Sequence, residues 1–333
     1  MTFVLRATFT TAFAIAVAVG TGASLTLTPS ALAQPYPNKP IRIIVNSGPG
    51  GPSDLISRGF AQLMPQTLGQ SMVVENRIGA AGIIGADAVA KAAPDGYTIL
   101  VTVSAPITLN PYFYTKLPYD PHKDFSPLSL LSMINAAFFA HPTVPASNMI
   151  ELVSLARSKP DEVLFGSWGI GSFPDLYRAW IENKYNVRFR HIPYKEANQV
   201  AAALLSGEVQ VLQNPVGALA PHVRSGKLKG LGTLGEKRVA ALPDLPSFAE
   251  MGFDLNFLGW VGAFGPANMP REVSQRLNTE MHRLVNDNDF AAKFLRTQSM
   301  EGRGGSIESF QAFLKTDHET AGRLAKLAGV KPE

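Results

Sequence analysis

The sequence contains no cysteine, which removes disulfide staples, thiolate metal sites, a cysteine nucleophile and a lipid-bearing N-terminal cysteine. Histidine is scarce: the six imidazoles include no H-E-x-x-H or comparable spacing, so no metal site is expected. A phosphate-binding G-x-x-x-x-G-K-[ST] stretch is missing as well. Gly166-Ser167-Trp168-Gly169 lacks the first glycine of G-x-S-x-G, so nothing marks a nucleophile elbow. Charge is thin, with 30 Lys and Arg against 26 Asp and Glu for a formal +4. The pI is 9.2, yet the basic residues form no stripe, which excludes nucleic acid as the expected partner. The mild positive balance has two readings, plain solubility and attraction of anions.

Long apolar runs are missing beyond the N-terminus. There, Arg6 precedes an apolar run from Ala12 to Val19, followed by Ala31-Leu32-Ala33, the three-part layout of a cleavable secretory signal peptide over residues 1–33. The run is too short to span the roughly 30 Å of a bilayer core, and Gly20, Gly22 and Pro29 interrupt the stretch after it. Cleavage after Ala33 would leave about 300 residues in the periplasm, room for two domains with separate cores.

From Ile41 onward short β-rich runs alternate with helical patterns. Residues 41–45, 72–74 and 97–103 read as strands. An apolar stripe at Leu55, Ile56, Gly59, Phe60 and Leu63 and a run over 83–92 read as helices. This is an α/β pattern with a largely parallel sheet. The Pro-rich passage 110–127 reads as a long surface excursion. A second α/β series comes next, with Asn148 and Glu151 as a capping box and strands at 163–165, 189–192, 209–212 and 230–234. After Phe257 the pattern shifts to helices, with stripes at Val273, Leu277, Met281 and Leu284, at Phe290, Phe294 and Leu295, and over 306–327. They are too few in strands for a third sheet, so they are expected to return to the first lobe. The expected division is 34–137 plus 258–333 for lobe 1 and 138–257 for lobe 2, crossed at 136–140 and 260–264 by a two-segment hinge.

Ligands of open parallel sheets sit beyond the carboxyl ends of the strands. After the first strand comes S-G-P-G-G-P-S-D, with Gly50, Gly51, Pro52, Ser53 and Asp54 leading into a helix. Glycines allow close backbone approach, and the uncapped N–H groups of a helix start attract an anion. A plain glycine-rich turn fits the same residues, whereas the dinucleotide pattern G-x-G-x-x-G fails at Ser53. Thr102, Ser104 and Asn110 follow a later strand. A second glycine-rich loop contains Ser167, Trp168, Gly169, Gly171 and Ser172, and Tyr194, Lys195 and Gln213 stand at the ends of the next strands. A carboxylate buried between two such loops needs several donors to offset its desolvation.

The chain resembles the periplasmic solute receptors of tripartite tricarboxylate transporters, the Bug family. The likeness rests on Y-P-N-K-P-I-R-I-I-V from Tyr36, G-G-P-S-D from Gly50, V-V-E-N-R from Val73 and A-K-A-A-P-D-G-Y from Ala90. It continues in L-P-Y-D-P and K-D-F between Leu117 and Phe125, H-I-P-Y-K from His191 and A-L-P-D-L-P-S from Ala241. The resemblance implies a type II periplasmic binding protein fold, no catalysis, no cofactor, and a carboxylate gripped from opposite lobes by the two glycine-rich loops. Thr102, Ser104 and Asn110 would lie beside it and Tyr194 below. It also implies a monomer that delivers its ligand to the membrane components of such a transporter. A ligand-sensing periplasmic subunit and a periplasmic hydrolase are the alternatives. The chain departs from the family at Gln210 and Gln213, where aspartate is usual nearby, at Glu196, where glycine is usual, and at Trp168, where a small residue is usual. Gln213 and Trp168 suggest a ligand with an apolar or aromatic body.

Overall fold

A computed structural model describes residues 36–332. The expected leader, residues 1–33, lies outside the described residues. The run I-R-I-I-V forms β1 (Ile41–Val45), in which all but Arg42 are buried. Such a run belongs to a parallel strand covered on both faces. β1 lies between β2 (Met72–Asn76) and β3 (Thr98–Val103), parallel to both, with Ile43 opposite Val74 and Ile99. The sheet continues antiparallel through β10 (Trp260–Pro266) and β4 (Phe125–Ile134) to β11 (Met300–Gly302), in the order β11-β4-β10-β3-β1-β2.

The second sheet has the order β7-β6-β8-β5-β9, built from β5 (Ala136–Ala140), β6 (Leu164–Ser167), β7 (Arg190–Pro193), β8 (Val211–Pro215) and β9 (Lys229–Thr233). Only Asn135 separates β4 of the first sheet from β5 of the second, and its carbonyl accepts the Val216 N–H at 2.9 Å. The return runs through residues 234–259. The expected crossings at 136–140 and 260–264 are themselves buried strands, each paired on both sides. A strand held by two ladders is stiff, so the chain changes sheet in the residues before each.

The passage 110–127 also differs from the expected excursion. It holds a helical turn, Asn110–Phe113, and the start of β4. Pro127 is tolerated because β11 pairs only with Ser132, Met133 and Ile134, so β4 is an edge at Pro127, and its register with β10 shifts there.

Helices cover both faces of each sheet. Helices Pro52–Leu63 and Arg271–Val285 bury Phe60, Leu277 and Met281 against Ile41, Ile43 and Ile99. Position 59 must be glycine, because a Cβ would lie 2.7 Å from the Phe290 ring. On the opposite face, Phe310 and Leu314 of helix Ile307–Leu327 pack with Ile44, Trp260 and Phe264. The far half of that helix puts Ala321 and Leu324 into the cluster that holds Phe138 and Phe165 of the second sheet and Tyr177 of helix Phe173–Tyr185. The last helix therefore packs on the first sheet and on helix Phe173–Tyr185, rather than on the first sheet alone.

The cap at Asn148 is present, its Oδ1 accepting the Glu151 N–H at 2.9 Å, while Glu151 reaches one residue beyond a strict capping box, its Oε2 accepting the Ser147 N–H at 2.7 Å.

Candidate ligand-binding site

The first glycine-rich loop is braced from within. Asp54, only 1% exposed, accepts Gly50 N–H at 2.9 Å and Arg58 Nε at 2.8 Å on one oxygen and Asn76 Nδ2 at 2.9 Å on the other. Asn76 also donates to Ser47 O at 2.9 Å, and Ser47 and Ser53 share a hydroxyl bond of 2.6 Å. Burial alone would raise the Asp54 pKa, but the bonds from Arg58, Gly50 and Asn76 outweigh it and hold the carboxyl below its ordinary value. Ser53 and Asp54 are thus scaffolding, and the loop presents Gly50, Gly51 and Pro52 outward. Gly50 has φ +81°. At Gly51 a Cβ would meet Ser47 Oγ at 3.1 Å and Gly48 O at 3.2 Å. Gly51 is the N-cap of helix Pro52–Leu63 and makes no side-chain cap bond, so the helix start keeps N–H groups for an anion.

Beside it, at the carboxyl ends of β1 and β3, lie Asn46, Thr102, Ser104 and Asn110, all buried. Asn46 Nδ2 donates to Thr102 Oγ1 at 2.7 Å, and Asn110 Nδ2 to Ala81 O at 3.2 Å. Asn46 Oδ1 and Ser104 Oγ are buried without a protein partner. Ala81 belongs to a turn in which Gly79, Ala80, Ala81 and Gly82 have φ of 129°, 46°, 51° and 86°. Left-handed alanines cost roughly 1–2 kcal/mol each. At Gly82 a Cβ would lie 2.3 Å from Asn46 Nδ2, which fixes this turn over the Asn46 amide. Sequence reading missed both. The signal available was G-A-A-G after V-V-E-N-R, glycines bracketing a tight turn before a helix. Ala81→Gly is expected to raise stability by about 1 kcal/mol in urea denaturation.

On the second sheet the 166–172 loop leaves β6. Ser167 Oγ accepts Gly169 N–H at 3.1 Å and lies 2.7 Å from His191 Nε2. Ser172 Oγ donates to Gly169 O at 2.6 Å, and Asp175 Oδ2 accepts Gly171 N–H at 3.1 Å. A Cβ on Gly171 would meet the Phe113 ring at 3.0 Å. The loop therefore touches the helical turn that carries Asn110, which in turn holds Ala81. Gln213 and Asn214 are buried at the end of β8 with Gln213 Oε1 and Asn214 Oδ1 unpartnered. Trp168 packs with Ile192 and Tyr194 against Val200, Leu204 and Leu212. Lys195 and Glu196 are exposed. Gln210 lies at the opposite end of β8, where its Oε1 accepts Leu164 N–H at 3.0 Å.

Ser167, Asp175 and His191 follow the chain order of some hydrolytic triads, but the geometry differs. Ser167 is fully buried. Asp175 Oδ1 stands 3.6 Å from His191 Nδ1 and holds Arg178 Nη2 at 2.7 Å instead. Such an arrangement organises a loop rather than activating an attacking oxygen. Among the described residues, no group of three or more His, Asp or Glu could hold a metal ion, and no helix is long and apolar enough to cross a membrane.

Residues 56–330 match the model of the tripartite tricarboxylate transporter family receptor. The chain belongs to that family. It is 32% identical over 304 residues to a UPF0065 protein of Bordetella bronchiseptica, covering 91% of this chain and 90% of that one. Its fold superposes on Rpa4515 of R. palustris, solved with adipate, with a TM-score of 0.82 and 27% identity over 90% of this chain and all of that one. MatC of Rhodopseudomonas palustris, with bound malate, gives 0.76 and 25% over 87% of this chain and all of that one. The resemblance read from the sequence is borne out, as is the two-lobed α/β fold of periplasmic binding proteins. Several motifs that carry the family resemblance are structural in this receptor. Tyr36 donates to Gly96 O at 2.7 Å, Tyr97 to Asn38 Oδ1 at 2.8 Å, and Lys39 pairs with Asp95 at 3.3 Å.

Proposed function

We propose that this receptor is exported by its N-terminal leader to the periplasm, captures a small carboxylate between its lobes without catalysing a reaction, and delivers it as a monomer to the membrane components of a tripartite tricarboxylate transporter. The observation that carries the reading is the set of buried, unpartnered polar atoms at the carboxyl ends of strands in both sheets: Asn46 Oδ1 and Ser104 Oγ from one, Gln213 Oε1 and Asn214 Oδ1 from the other. Buried polar atoms are nearly always hydrogen-bonded, and these four lie beside two loops rich in backbone N–H groups. The loops supply donors to a carboxylate, while the neutral amides and hydroxyl suit bridging waters or a hydroxyl on the ligand. The adipate and malate bound by two relatives support the class of ligand.

No aspartate stands at Gln213, so no repulsion opposes an acid there, and the Trp168 ring favours a ligand with an apolar body. Closure follows from contacts that exist only when both loops touch the ligand, since a ligand indifferent to the open and closed states shifts nothing. A melting-temperature screen of aliphatic and aromatic carboxylates on the chain without its leader tests this. A ligand at about 100 times its Kd adds roughly 2.7 kcal/mol of stability. The expected result is a clear upward shift with at least one acid, larger for adipate-like or benzoate-like than for formate-like compounds. No shift with any carboxylate would overturn the reading, and equal shifts for succinate and benzoate would remove the preference for an apolar body.

A further inference from the structure

The second glycine-rich loop is held by an ionisable side chain to which the binding reading gives no role. His191, on β7, is mostly buried, and its Nε2 lies 2.7 Å from Ser167 Oγ. The charged groups facing the ring come from helix Phe173–Tyr185: Asp175, whose Oδ1 is 3.6 Å from Nδ1, and Arg178, which pairs with both Asp175 and Glu182. The carboxylate on the Nδ1 side favours a proton there, leaving the Nε2 lone pair for the Ser167 hydroxyl. That hydroxyl has one other acceptor, Gly169 O, at 3.3 Å, and Ser172 Oγ already donates to it at 2.6 Å. With its proton directed to His191, Ser167 Oγ accepts Gly169 N–H at 3.1 Å. Asp175, the carboxylate on the Nδ1 side of the ring, accepts Gly171 N–H at 3.1 Å. One imidazole and one carboxylate thus fix the loop at its start and at its middle.

We propose that His191 is a positioning residue for the ligand-facing 167–172 loop: its neutral Nδ1–H tautomer accepts the Ser167 hydroxyl and holds the loop in its gripping shape, and protonation of the ring releases that loop and weakens carboxylate capture. The inference rests on the reading that this loop grips the ligand. Burial, then Arg178, push the His191 pKa below its ordinary value, with Asp175 opposing them, so the neutral ring prevails at neutral pH. An imidazolium at Nε2 would donate to Ser167 Oγ, turning the hydroxyl proton toward Gly169 O, a longer bond of 3.3 Å to an oxygen that Ser172 Oγ already engages at 2.6 Å. The sign of the effect is diagnostic. A histidine that merely attracted an anion would strengthen binding in acid, whereas a positioning histidine weakens it.

The test has two arms, both on the chain without its leader. In ligand-free protein, nitrogen NMR of the His191 ring and of the Gly169 and Gly171 amides is followed from about pH 8 down through the midpoint of the ring. The expected result is the Nδ1–H tautomer, with both amides shifting at the midpoint of the ring and the Gly169 response lost in Ser167→Ala. An Nε2–H ring, or amides that do not follow it, overturns the proposal. In the second arm adipate is titrated into wild type, His191→Gln and His191→Leu. Glutamine retains an acceptor near the Nε2 position, so its affinity stays within about threefold of wild type with a flat pH profile, whereas leucine weakens binding roughly fivefold or more. Wild-type affinity falls in acid. Identical pH profiles in wild type and His191→Gln, or tighter wild-type binding in acid, also overturn it. Failure of adipate to bind any variant counts against the carboxylate reading and leaves the NMR arm to decide the role of His191.

Discussion

Replacing Asp54 with alanine is expected to weaken carboxylate capture by about a hundredfold and to lower stability by about 2–4 kcal/mol. Three donors converge on this side chain, from Gly50, Arg58 and Asn76, and alanine frees Gly50 N–H from the loop and leaves Asn76 Nδ2 with Ser47 O alone. The affinity loss exceeds what a surface substitution gives because Asp54 braces the loop at Gly50 and Gly51. Asp54→Asn keeps one acceptor oxygen and falls between the two. The pKa of Asp54 is depressed in the folded chain, so its contribution is complete above the unfolded carboxylate range, near pH 4, and is lost as pH falls through the folded value. Urea denaturation and titration with adipate measure the two effects. Wild-type affinity in Asp54→Ala would show that the first loop does not grip the ligand.

The second large effect concerns two neighbours on the last helix. Asp317 accepts a bond from Trp260 Nε1 at 2.8 Å. Burial raises its pKa to about 6 against the bonds from Trp260 and Thr108. His318, whose ring lies 4.2 Å from that of His122, is lowered to about 4 by burial and then by His122. Near pH 5 the folded chain carries one proton on Asp317, and the unfolded chain carries one on His318. Folding then moves no net proton at this pair, and its contribution to stability is level between about pH 4.5 and pH 6. Single substitutions break the compensation in opposite directions. In Asp317→Asn only the depressed histidine remains, so stability is complete above about pH 6.5 and is lost as pH falls toward 4. In His318→Gln only the raised carboxyl remains, so stability is greatest in acid and declines as pH rises from about 4 to 6. Each slope amounts to on the order of 2 kcal/mol. Urea midpoints across this range measure them, and two variants that both parallel wild type would refute the compensation.

Local periodicity was enough to place much of the fold. The I-R-I-I-V run, the stripe ending at Phe60 and Leu63, and the Asn148 cap each carry their structure in neighbouring residues, and each appears within a residue or two of its expected bounds. Pro127 did not, because a proline inside a strand is acceptable only where the partner strand stops, and β11 is remote in sequence. The candidate site divides the same way. Its glycine loops are visible as composition. Asn46 and the 79–82 turn are ordinary letters that become notable only through burial, missing partners and backbone angles. His191 was legible as part of a motif, but its bond to Ser167 joins strands 24 residues apart.

The central claim, that one carboxylate is held by both glycine-rich loops at once, is tested most directly by amide hydrogen exchange with and without a saturating acid identified by the melting screen. The account predicts slowed exchange in both the 50–54 and the 167–172 loops, the two responding to the same ligand concentration. Protection confined to one loop, or spread elsewhere with neither loop affected, would contradict it.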